Sequence, residues 1–312
     1  MGKIFIRPLL RFLFLTSLLL CLCWAYWVQA APAQQHAANV PSQNAGQLVR
    51  QGFDRYQSRD YQGAIASWQT AVPLYEAQKD LANSAIVLEN LARAHRHLGQ
   101  TDQALKKWQQ VIPLQRQLGN AQQVGRLLTE QAQAHGQLGQ HRRAIAVLCN
   151  PGPECQSGSA IDIARQVKDS AGEVAALGSL GNAYLARGDH QQAIDSLEEG
   201  LALASKWPTY QTAMLTSLGN AYLAQAEIDY RQARSENQSV TANRINQTLT
   251  AKQMRGAQQV AMLRQEAQDK ESQALTYFEQ SLTLFQQQDQ PLEIVQTPVS
   301  YTHLTLPTKR IV

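Results

Sequence analysis

At 312 residues the chain is longer than one compact domain ordinarily runs. Its formal charge of +4 comes from its ends: Lys3, Arg7 and Arg11 fall in residues 1–30 and Lys309 and Arg310 in 299–312, and neither stretch contains an acid. The remaining 23 basic residues face 24 acidic ones, and a body with a net charge of −1 excludes the electrostatic footprint of a nucleic-acid binder.

The chain opens with a three-part export signal over residues 1–30. Lys3, Arg7 and Arg11 form the basic region, Phe12–Val28 is an apolar run broken only by Thr16 and Ser17, and Val28-Gln29-Ala30 places small residues before Ala31. The alternative is an uncleaved membrane anchor, although the run is a little short of the ~20 residues that span a bilayer. Cys21 and Cys23 each follow a leucine rather than a small residue, which argues against a lipoprotein signal. Residues 31–46 read as a Pro/Ala/Gln/Asn linker.

From residue 47 the chain repeats itself. Ser179–Ala186 recurs letter for letter at Ser217–Ala224, and small residues mark one equivalent position at Gly52, Ala92, Ala132, Gly181 and Gly219. Twelve residues after the first four marks stands an alanine (Ala64, Ala104, Ala144, Ala193). Four further on stands a large apolar residue (Trp68, Trp108, Leu148, Leu197). Apolar residues between the marks recur at helical spacings, as in Leu88, Leu91 and Leu98, three and seven apart, the period of an amphipathic helix. Turn signals at Ser58-Arg59-Asp60, Leu98–Thr101, Leu138–Gln140 and Arg187–Asp189 divide each unit into a helix A and a helix B. A small residue where A crosses B lets the backbones approach, and the large residue fills the adjacent gap. One such pair cannot bury its apolar face alone, so the units must stack.

Two interruptions stand out. Cys149 and Cys155 flank Asn150-Pro-Gly-Pro-Glu154, a helix-breaking stretch that coincides with the nine-residue excess of the third interval. After export the two cysteines can form a disulfide; otherwise they are free thiols in a loop. In unit five the B-helix marker is displaced to Ala274–Phe278, which implies a helical insertion over about 228–270, bending at Ser235–Asn246 and projecting from the stack. It serves either as a docking arm or as a projection without a function of its own. Residues 291–298 read as the start of a further repeat, cut short. Residues 299–312 are Thr-rich and β-prone, and read either as a non-native tail or as a short strand-like end. With no further A helix, the apolar face of Ala274–Phe285 would be left partly uncovered, a basis for self-association.

No Gly-rich phosphate loop, H-E-x-x-H or G-x-S-x-G motif is present, and the chain is expected to be non-catalytic, with no cofactor and no metal. His95 and His135 stand 40 residues apart on consecutive A helices, where they either approach each other or substitute for a core tyrosine.

Leu180-Gly181-Asn182-Ala183-Tyr184…Ala193…Leu197 resembles the tetratricopeptide repeat, and Leu218-Gly219-Asn220-Ala221-Tyr222 matches its first helix equally well. The period of 40 exceeds the standard ~34, and units two and three carry His95 and His135 where tyrosine is usual. The resemblance implies an all-α, right-handed solenoid of antiparallel helix pairs over residues 47–290, binding a protein or peptide in the concave groove of its A helices. The residue after each mark would face that groove: Phe53, Arg93, Gln133, Asn182 and Asn220, the asparagines contacting peptide backbone. Arg93, Arg96 and Arg126 would supply charge for an acidic partner. With its export signal and Gln-rich surface, the chain is also similar to the N-terminal part of cyanobacterial exported repeat proteins. Many of these end in a CHAT domain, a caspase-like cysteine peptidase. The expectations are therefore a periplasmic or extracellular binding scaffold, not held in the membrane once the signal is cleaved, or the recognition region of such a peptidase.

Overall fold

The computed structural model describes residues 45–149, 155, 157–242 and 251–287. The expected signal peptide, nearly all of the linker, the start of a further repeat and the 299–312 tail lie outside the described residues. Two compact units divide the chain, 1–47 and 48–312; of the first, only residues 45–47 are described.

The second unit is a stack of helices, and the described residues contain no strand. In chain order the α-helices of the described residues are α1 (Ala45–Gln57), α2 (Tyr61–Ala77), α3 (Leu81–His97), α4 (Thr101–Gln117), α5 (Ala121–Gln137), α6 (His141–Leu148), α7 (Ala160–Gln166), α8 (Ser170–Arg187), α9 (His190–Leu203), α10 (Pro208–Ala242) and α11 (Ala251–Gln287). The A helices are α1, α3, α5, α8 and α10. All five marks are buried, as are the large residues Trp68, Trp108, Leu148 and Leu197. A β-carbon built on Gly181 would lie 2.4 Å from Cγ of Leu197, and one on Gly219 would lie 2.6 Å from the ring of Phe278. The small mark and the large residue of helix B therefore occupy one crossing, and any side chain on these glycines would fill space the partner already holds.

The stack has a finer period than the sequence marks. Helices α2 to α5 each run 17 residues and are separated by three-residue turns. The middle residue of each turn is left-handed: Arg59 (φ 62°), Lys79 (55°), Gly99 (70°), Gly119 (73°) and Gly139 (69°). The 40-residue repeat is thus two 20-residue halves with the same length of helix and the same turn. The residue after the left-handed one is the N-cap of the next helix, and at Asp60 and Asp80 its carboxylate accepts from the backbone N–H of Gly63 and Asn83.

Unit three breaks this rhythm. Helix α6 stops after eight residues. The sulfur atoms of Cys149 and Cys155 are bonded, with Cα atoms 4.6 Å apart, and the short α7 follows before α8 resumes the A series. Unit five differs from the expected bend. Helix α10 continues without a break through Ala242, so residues 235–242 are helical rather than the start of a loop; residues 243–250 lie outside the described residues. The insertion lengthens both helices of the pair. No proline interrupts either extension, and a seam sustains them: Ala226, Ala233, Val260, Leu263 and Ala267 are buried, Lys270 pairs with Asp229 and the Tyr230 hydroxyl donates to Glu271. No helix among the described residues is long and apolar enough to cross a membrane.

Candidate functional site

The turns set every A helix in the same register, so residues at one offset from the marks line up along the stack. A cleft of about 380 Å³ opens on this row. Helix α3 contributes Arg96; α5 contributes Arg126, Thr129, Glu130 and Gln133; α8 contributes Ala171, Gly172 and Ala175; α10 contributes Tyr210. Every lining residue stands on an A helix, from four successive units. The small residues of α8 open the space, and the polar chains of α3 and α5 edge it.

Three of the six groove residues expected from the sequence, Arg96, Arg126 and Gln133, line this cleft together. Arg93 stands behind it, its Nε and Nη2 donating to Glu130 at 2.8–3.2 Å, with Glu89 3.9 Å away. Burial works against the Arg93 charge, but the hydrogen bonds and negative charge of Glu130 outweigh it and hold the guanidinium pKa above its ordinary value. Asn182 is exposed on α8 and Asn220 is half-buried on α10; neither lines the cleft. Phe53 is half exposed on α1.

The expected supply of positive charge is smaller than the arginine count suggests. Arg93 is held by Glu130, and Arg126 donates to both oxygens of Asp169 at 2.7 and 3.0 Å. The Arg126 hydrogen bond holds the Asp169 carboxyl below its ordinary range, against the opposing effect of burial. Arg96 makes no ion pair among the described residues. Its Nη1 donates to Gln133 Oε1 at 3.2 Å and its guanidinium lies 5.8 Å from the centre of the Trp108 ring. Gln133 in turn donates to Ser179 Oγ at 3.0 Å.

These bonds follow one rule. The residue after a mark reaches the residue two before the next mark: Arg93 to Glu130, Gln133 to Ser179. Sequence reasoning missed Glu130, Asp169 and Tyr210. Glu130 and Asp169 were within reach of the repeat register, Glu130 two residues before Ala132 and Asp169 twelve before Gly181 as Asp80 stands twelve before Ala92; Tyr210 stands nine before Gly219, where the other units carry no aromatic residue to signal it.

The two histidines do not meet. His95 Nδ1 lies 2.6 Å from Gln100 Oε1 and His135 Nδ1 2.9 Å from Gln140 Oε1, so each buried ring is tied to its own turn. Among the described residues no cluster of three or more His, Cys, Asp or Glu is placed to hold a metal ion.

Family models described as tetratricopeptide repeat match residues 83–149 and 176–208. Those two stretches are tetratricopeptide repeats. Among solved structures it is similar to BtubC (BKLC) from P. vanneervenii, at 18% identity over 66% of this chain and 83% of that one, TM-score 0.49. It is also similar to the putative kinesin light chain with nearly identical TPR-like repeats from Podosopora anserina, at 20% identity over 72% and 99%, TM-score 0.48. A Rap protein complexed with Competence and Sporulation Factor matches at 14% identity over 78% and 75%, TM-score 0.47. No curated protein matches.

Proposed function

We propose that the tetratricopeptide repeats of residues 48–287 form a non-catalytic scaffold that binds a peptide or protein segment along the A-helix groove. The cleft lined by α3, α5, α8 and α10 alone carries this reading, because a ligand seated there touches four repeats at once. Arg96 and Gln133 offer donors and acceptors at one edge, and the exposed carboxamide of Asn182 extends the row toward α10. The paired state of Arg93 and Arg126 favours a ligand recognised through main-chain and amide groups over a strongly acidic one.

The scaffold acts outside the cytoplasm in this proposal. The layout of residues 1–30 supports export, and the Cys149–Cys155 bond suits an oxidising compartment. The alternative, a recognition region for a caspase-like CHAT peptidase in a cyanobacterial exported protein, rests on the sequence resemblance. A His- and Cys-bearing α/β domain encoded in the same gene would favour it.

The test is a peptide-display library panned against the full chain expressed with its export signal. Selected peptides should lose at least ten-fold in affinity with Arg96→Ala or Gln133→Ala and keep it with Gln69→Ala on the exposed face of α2. Peptides indifferent to both groove variants would overturn the reading.

A further inference from the structure

A second cleft, of about 620 Å³, lies between units two and three. Glu89 of α3 lies at its base, only 6% exposed, and is the one acid among the described residues that line it. Two apolar residues flank its opening, Ile86 (49% exposed) and Val167 (38%). The rest of the wall is neutral, chiefly Gln115, Asn120 and Gln123.

The partners of Glu89 leave a charge unanswered. Gln115 Nε2 donates to Oε1 at 2.6 Å and Gln123 Nε2 to Oε2 at 2.6 Å, both neutral amides. The nearest cation, Arg93, is 3.9 Å away and gives its hydrogen bonds to Glu130. Glu89, Arg93 and Glu130 therefore hold two negative charges against one positive. Burial, reinforced by the charge of Glu130, pushes the Glu89 carboxyl above its ordinary value, even with the opposing amides and Arg93. A buried carboxylate met mainly by amides is costly, and each of its oxygens can accept a second hydrogen bond.

We propose that this cleft seats a lysine side chain of the bound peptide, its ammonium on Glu89 and its methylenes along Ile86 and Val167. The inference rests on reading the A-helix groove as a peptide site, and it names the chemistry of one residue of that peptide. An ammonium suits the place better than a guanidinium: a compact point charge can bond either oxygen without the planar fork geometry a guanidinium needs, and its four-carbon stem matches the two apolar flanks. A divalent cation needs several oxygen ligands, and a single carboxylate with two amide donors turned toward it does not provide them.

The experiment titrates the full chain with acetyl-Ala-Lys-Ala-amide, acetyl-Ala-norleucine-Ala-amide and spermidine, following the Glu89 carboxyl carbon by NMR. The lysine peptide should bind at least ten-fold more tightly than the norleucine peptide and should lower the Glu89 pKa, and Glu89→Gln should abolish the preference. Equal binding of the two peptides, an unmoved Glu89 pKa at saturation, or a preference that survives in Glu89→Gln would each overturn the proposal. Spermidine binding as tightly as the lysine peptide would mark a free-polyamine site and overturn the peptide assignment. The pKa readout uses the wild-type chain, so it decides the matter even if Glu89→Gln does not fold. Failure here leaves the groove reading standing, because that is scored separately on Arg96 and Gln133.

Discussion

A β-carbon on Gly52 would sit 2.3 Å from Nε1 of Trp68, and that same Nε1 donates to the carbonyl of Val49 at 3.2 Å. The indole of helix α2 can reach the backbone of α1 only because the residue between them has no side chain.

Gly52→Ala should therefore destabilise the chain by ~1–3 kcal/mol, through overpacking and loss of the indole bond. Gly136→Ala is the matched control: it lies inside α5, and a β-carbon there meets nothing within 4 Å. It should raise stability by roughly 0.5–1 kcal/mol through helix propensity. Urea denaturation of the two variants reads the difference, and equal effects would contradict the crossing geometry.

Lys79 takes a left-handed backbone, φ 55°, at the turn position that Gly99 and Gly119 hold elsewhere. Lys79→Gly should remove strain and raise stability by up to about 1 kcal/mol, while Gly99→Lys should cost a similar amount. Thermal melts of both variants should move in opposite directions.

The Asp169 carboxyl has a folded-state pKa below its ordinary 3.8, so its contribution is fully present above that value and is lost as pH falls through the folded value. Arg126 is half exposed, which holds the ion pair to about 1 kcal/mol or less. Asp169→Asn can still cap α8 through the N–H of Gly172 but has no charge to titrate. Its stability should fall less steeply than that of the parent in chemical denaturation between about pH 5 and pH 2. An unchanged slope would show that the pair is not formed in solution.

The Cys149–Cys155 bond closes a short loop, for which chain entropy suggests ~2 kcal/mol of stabilisation. The thiols of the exported chain should resist alkylation until reduced, and Cys149→Ser with Cys155→Ser should lower stability by that order. Two freely alkylated thiols in exported material would contradict the assignment.

The architecture was legible because one small residue and one large residue recur at fixed offsets, and both are demanded by the same crossing. The 20-residue half-period was hidden for a local reason. Arg59 and Lys79 fill turn positions where glycine would have announced the left-handed backbone. Arg96, Arg126 and Gln133 were named from the sequence and line one cleft, whereas the pairing of Arg93 and Arg126 with carboxylates was not foreseen. Glu130 and Asp169 come from neighbouring helices, and a residue read on its own helix face shows its charge but not what neutralises it. The bend expected at Ser235–Asn246 came from local composition. Residues 235–242 instead continue α10 beyond the buried seam of Ala226, Ala233, Val260, Leu263 and Ala267, an extension that the weak helix preference of Ser and Asn does not announce.

In α10 and α11 the extra residues are shared between two antiparallel partners, 35 and 37 residues long. A length change made equally in both helices shifts the far end of the pair and leaves the registration at Gly219 and Phe278 untouched. Each added turn on both strands carries that end about 5 Å further out. Length added to the pair therefore changes its reach without moving the crossing of Gly219 and Phe278, so the packing of the repeats and the length of this last pair are separately adjustable.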